Sequence, residues 1–103
     1  MAVRFSRQVL RGSAVRDEAR ATAAAPDFEQ RIAQCMQAHN VAYFGRLVME
    51  SETDEFLTVS RYGSVEDAAR GTALVRELLA PEMERWFSAH EMIIGEATRV
   101  LEL

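Results

Sequence analysis

The chain has 103 residues, 49% of them hydrophobic and 27% charged, with a formal net charge of −4. That length fits one compact domain, expected to span residues 1–103, with a core of modest size. All twelve basic residues are arginines, scattered from Arg4 to Arg99 without a run and outweighed by sixteen acidic residues, so a nucleic-acid partner is not expected.

Charges interrupt every apolar stretch well short of the ~20 residues that a membrane-spanning helix needs, so no membrane partner is expected. Met1–Leu10 carries Arg4 and Arg7 and lacks the apolar segment of a signal peptide. A lone cysteine, Cys35, forms no internal disulfide, and the expected location is the cytoplasm.

In chain order, Val3–Leu10 reads as a strand with Val3, Phe5 and Val9 on one face. Gly12 and Ser13 stop it, and Ser13 is placed to cap a helix whose first turn holds Asp17 and Glu18. The alanine- and arginine-rich stretch 14–25 favours helix, and Pro26 restarts it as a second segment to His39. Phe28, Ile32, Cys35, Met36 and His39 form the apolar stripe of that segment.

Val41–Met49 and Glu55–Tyr62 alternate as strands around a short polar turn and predict an antiparallel hairpin. Ser64 with Asp67 resembles a capping box at the start of a helix striped by Val65, Ala68, Thr72, Val75 and Leu79. Pro81 breaks that helix as Pro26 breaks the first. Met83, Trp86, Phe87 and His90 then continue at helical spacing, and residues 91–103 close the chain as a strand.

The order strand, broken helix, strand, strand, broken helix, strand predicts an α+β chain. Its form is a ferredoxin-like β-α-β-β-α-β sandwich, a four-stranded antiparallel sheet with broken helices on one face. Both phases of the strands carry apolar side chains. Tyr43, Leu47 and Met49 stand against Phe44 and Val48, Phe56 and Tyr62 against Leu57 and Val59, and Met92 and Ile94 against Ile93, Ala97 and Leu101. Two helical regions cover only one sheet face, so the second face is expected to meet another copy of the chain in a homodimer.

The element order, the length and this two-faced sheet resemble the dimeric α+β barrel proteins. That group includes the antibiotic-biosynthesis monooxygenases and the haem-degrading monooxygenases. Its members often run from an apolar strand through Trp-x-Ser-x-x-x-Ala into the second helix. Here Tyr62 stands at the tryptophan position, and Ser64 and Ala68 match. Gly71 and Thr72 occupy the region where a histidine often lies in that helix, and the first strand lacks the asparagine of the haem-degrading members.

The resemblance implies dimerisation as an α+β barrel. It also implies a cofactor-independent monooxygenase or isomerase acting on a small aromatic or polyketide-like molecule. In such a reaction the deprotonated substrate itself reduces oxygen, so no cofactor is expected.

The expected ligand cavity lies between the sheet and the broken helices. His90, four residues after Trp86 and on the same helix face, is the candidate general base, and Tyr62 the candidate hydrogen-bond partner of a substrate oxygen. Tyr43, Phe56, Thr58, Ser60 and Trp86 are the candidate ligand-binding residues. Each also has a packing role available: a helix-end histidine, or aromatics that close the core.

Cys35 and His39 lie four apart on a helix but lack a third ligand, and no metal site is expected. A non-catalytic ligand-binding or assembly dimer is the alternative reading. Haem ligation through His39 or His90 is a third.

Overall fold

The computed structural model describes residues 1–99. Eight elements follow in the order β1 (Ala2–Leu10), α1 (Ser13–Ala24), α2 (Pro26–Ala38), β2 (Tyr43–Glu50), β3 (Glu55–Tyr62), α3 (Val65–Leu78), α4 (Ala80–Trp86) and β4 (Phe87–Glu96). The strands form one antiparallel sheet in the order β2-β3-β1-β4. The helices pack on one of its faces, which is the ferredoxin-like arrangement the element order predicts.

Local chemistry sets the boundaries. Pro26 takes the first position of α2, with Ala25 extended before it (φ −68°, ψ 133°), so the helix restarts rather than kinks. Leu79 makes the second break, between α3 and α4, one residue earlier than the proline implies. Ser64 caps α3, its Oγ accepting the Asp67 N–H at 3.0 Å. Ser13 does not cap α1: Gly12 precedes the helix, no side chain caps it, and its first turn holds no acidic residue.

The last strand begins at Phe87, not Glu91, because α4 ends at Trp86 and backbone pairing to β1 takes over at once, with Phe87 opposite Leu10. The expected strand residues Val100 and Leu101 lie outside the described residues. On α2, Phe28, Ile32 and Met36 are buried as the stripe requires, whereas Cys35 is half-buried and His39 exposed, since the helix runs out at Ala38.

The pleat sorts the sheet into two faces of unexpected character. Toward the helices, cross-strand rows read Tyr43–Tyr62–Ala2, Arg46–Ser60–Arg4–Ile94, Val48–Thr58–Ser6–Met92 and Phe56–Gln8–His90. The centre of the covered face is therefore polar. Val3, Phe5 and Val9 belong to the opposite, uncovered face, where one apolar row, Leu47–Val59–Phe5–Ile93, crosses all four strands. Leu47, Phe5 and Ile93 are 60%, 56% and 72% exposed there.

Tyr43 does not share a face with Leu47 and Met49. A bulge between Tyr43 and Gly45 inserts Phe44 and turns Tyr43 toward the helices. Gly45 supplies the φ of +104° that the bulge needs.

The helix layer rests on Tyr62, which is fully buried beneath α3. A Cβ at Gly71 would lie 2.5 Å from Tyr62 Cε1 and 3.2 Å from Met36 Sδ, and neither neighbour has room to withdraw. Gly71→Ala is therefore expected to destabilise the fold by about 1–2 kcal/mol despite the better helix propensity of alanine. Thermal denaturation should show a midpoint lower by about 5 °C or more. An unchanged or raised midpoint would mean that α3 stands off the sheet.

Candidate functional site

A cavity of about 60 Å³ lies between the polar face of the sheet and the helices, and residues from all four helices line it. One end is aromatic. Phe28 and Trp86 meet with ring centroids 6.4 Å apart, Trp86 and Phe87 at 6.0 Å, and Phe56 and Phe87 at 6.1 Å. The other end is polar, with Arg4, Gln8, Thr58, Thr72, Arg76 and His90.

A wider, more open depression of about 480 Å³ runs along β2 and shares Ala23, Arg46, Val48 and Phe56 with the inner cavity. These shared residues form the boundary between the two spaces.

His90 lies in β4, paired across β1 with Gln8, and not on a helix face with Trp86 as its spacing implied. The chain turns from helix to strand at Phe87, so the two side chains reach the cavity from different elements. His90 Nε2 and Trp86 Nε1 are both buried without a hydrogen-bond partner among the described residues. Burial, reinforced by Arg76 and Arg4, lowers the His90 pKa below its usual 6.5.

Phe56, Thr58, Trp86 and His90 line the cavity, whereas Tyr62, Tyr43 and Ser60 do not. Tyr62 lies behind it, with the Arg4 guanidinium 5.9 Å from its ring centroid and its hydroxyl unpaired among the described residues. Burial raises the Tyr62 pKa. Tyr43 meets Tyr62 with ring centroids 5.4 Å apart and planes tilted by 52°, and donates to Glu29 Oε1 at 2.6 Å. Its pKa is raised by burial first and then by that carboxylate. Ser60 is fully buried and receives Arg4 Nη2 at 3.0 Å.

Arg4, Gln8, Thr72 and Arg76 are cavity residues that sequence reasoning missed. The signal was the alternation Arg4-Ser6-Gln8, a polar phase that the apolar phase of the same strand outweighed. Arg46, at the boundary, donates to Glu29 Oε2 at 2.8 Å and lies over the Phe28 ring at 4.9 Å.

His39 is far from this chemistry in role: its Nδ1 bonds the Cys35 carbonyl at 2.9 Å on the exposed end of α2. Among the described residues no group of three or more His, Cys, Asp or Glu side chains is placed to hold a metal ion. No helix among them is long and apolar enough to cross a membrane.

Comparison with solved structures settles the fold. SnoaB, a cofactor-independent oxygenase from Streptomyces nogalater, superposes over 97% of this chain and 95% of its own, with a TM-score of 0.67 and 14% identity. A dimeric ferredoxin-like protein from an uncultured marine organism matches over 99% and 98%, with a TM-score of 0.69 and 9% identity. An antibiotic biosynthesis monooxygenase matches over 96% and 100%, with a TM-score of 0.58 and 7% identity. The fold is the ferredoxin-like one that these solved structures share. No family profile matches the sequence, and no curated protein matches it with significance.

The lowered His90 pKa makes stability pH-dependent. The unfolded chain binds a proton to His90 more readily than the folded one. The stabilisation tied to neutral His90 is therefore complete above the usual 6.5 and is lost as pH falls from there through the folded pKa. Thermal melts between about pH 7 and about pH 5 should show a steeper loss for the native chain than for His90→Gln. Parallel slopes would place His90 in water.

Proposed function

We propose that the chain acts in the cytoplasm as a homodimer, one domain per protomer over residues 1–103. Each protomer binds a small apolar or aromatic molecule in its helix–sheet cavity. The reaction is cofactor-independent oxygenation or isomerisation of a phenolic or enolic substrate. The observation that carries this reading is the buried, unpartnered Nε2 of His90 on the wall of an aromatic-ended cavity. A neutral imidazole there is a general base: it takes the substrate proton and leaves an electron-rich anion for dioxygen.

Phe28, Phe56 and Trp86 supply flat apolar contact for the ring, and Thr58 with Gln8 the polar edge (Thr58 Oγ1 donates to Gln8 Oε1 at 3.2 Å). Tyr62 acts through Arg4 as a positioning residue. SnoaB, which shares the fold, is a cofactor-independent oxygenase.

The dimer contact is the uncovered sheet face. Its four-strand apolar row is more than a lone protomer leaves in water without cost, and a protein of the same fold is a dimeric ferredoxin-like protein. A second reading, a ligand-binding dimer without catalysis, is favoured by the small inner cavity. It is also favoured by Gly71 and Thr72 in the region where the group often has a histidine.

Oxygen consumption with a panel of phenols and hydroquinones, alongside native mass spectrometry for bound molecules, separates the two. His90→Ala is expected to reduce turnover by about 100-fold or more while ligand still binds and the melting midpoint holds. Binding without oxygen uptake by the native protein would favour the second reading. For the assembly, sedimentation equilibrium should give a dimer at micromolar concentration. Val59→Asp, which puts a charge in the middle of the apolar row, should give monomer or fail to fold. A monomeric native protein would remove the dimer.

A further inference from the structure

The inner end of the cavity holds a charge without a counter-charge. Arg4 is only 6% exposed, yet no carboxylate among the described residues lies within ion-pair distance of it. Its Nη1 donates to Thr72 Oγ1 and its Nη2 to Ser60 Oγ, each at 3.0 Å, and its Nε–H has no partner among the described residues.

The Thr72 hydroxyl proton is already given to the Ala68 carbonyl at 2.7 Å, so that oxygen only accepts. Arg76 adds a second cation to the cavity wall, and Arg46 a third that Glu29 already pairs at 2.8 Å. Among the described residues one carboxylate, Glu82, lines the wall: its Oε1 pairs with Arg31 at 3.7 Å and its Oε2 is buried without a partner, so the three cations still outnumber it. A guanidinium keeps its proton when buried, and hydroxyls offer it dipoles but no charge.

We propose that the inner cavity is a monoanion site with Arg4 as counter-ion, and that the ligand is an aromatic or enolic anion whose charged oxygen receives the Arg4 Nε–H. This rests on the reading that the cavity takes a small molecule, and it names the class. About 60 Å³ takes a head group the size of two waters. The body of the ligand extends past Phe56 and Val48 toward the space along β2. The indole N–H of Trp86, buried and unpaired among the described residues, is a second donor on the same wall.

For a phenol or enol, the Arg4 field stabilises the ionised form that is left once His90 has accepted the proton. The electrostatic work and the proton transfer fall on different residues.

Benzoate, benzamide and benzamidine have nearly the same shape and carry charges of −1, 0 and +1. Trp86, the chain's one tryptophan, reports binding by fluorescence at constant ionic strength. The native protein is expected to bind benzoate at least about tenfold more tightly than benzamide and to bind benzamidine weakest. Arg4→Met should erase the preference for benzoate while leaving benzamide affinity within about threefold, and Arg4→Lys, which keeps the charge but not the fork, should retain part of it.

Benzamide binding as well as benzoate to the native protein would overturn the anion site and leave the ligand cavity standing. Failure of all three probes to bind would overturn both. The native-protein comparison decides the matter even if Arg4→Met does not fold.

Discussion

A guanidinium removed from water stays charged, so a fold that buries one must surround it with acceptors and leave it a route to an opposite charge. Arg4 sets that requirement here. Ser60 from β3 and Thr72 from α3 point at it from opposite layers, and the Tyr62 ring lies within 6 Å of it. Its neighbours along the strand, Ser6 and Gln8, continue the polar phase, and His90 completes it across the sheet. The middle of this sandwich is therefore a small chamber, polar at one end and aromatic at the other, where a protein of this size would normally place aliphatic side chains. Chemistry has room there because packing does not fill it.

The same inversion governs the other face. With polar residues turned inward on β1 and β3, the aliphatic alternation of those strands faces away from the helices. Leu47, Val59, Phe5 and Ile93 align across the sheet, flanked by charged residues such as Arg7, which pairs with Glu55 and Glu91. An apolar band with a charged border is the pattern of a face that excludes water in an assembly. The proposed dimer and the proposed site are consequences of one choice of strand phase.

The helix breaks belong to the same scheme. A continuous helix from Ser13 to Ala38 would run about 39 Å, against about 26 Å for an eight-residue strand, and would overshoot the sheet. Breaking at Ala25 and again at Leu79 gives four short helices that bend over the sheet, each placing a residue on the cavity wall: Ala23, Phe28, Thr72 and Met83. The prolines stand at the starts of α2 and α4 and so shape the roof.

Element types, their order, the hairpin and the presence of two breaks follow from the sequence alone, because period, capping and proline are local signals that tertiary contacts left in force. So does the alternation of Phe56, Thr58, Ser60 and Tyr62 on one face of β3. Three things belong to the tertiary structure. Which phase of β1 faces the helices is a competition between an aliphatic and a polar set, decided by the partners that Ser60 and Thr72 offer Arg4 from 56 and 68 residues away. Tyr43 changes face through a bulge that one glycine permits and no periodicity shows. His90 lies on a strand rather than a helix because pairing with β1 outweighs a four-residue spacing that suits either form. Local propensity names the elements; only contacts between distant residues say which side of each is inside.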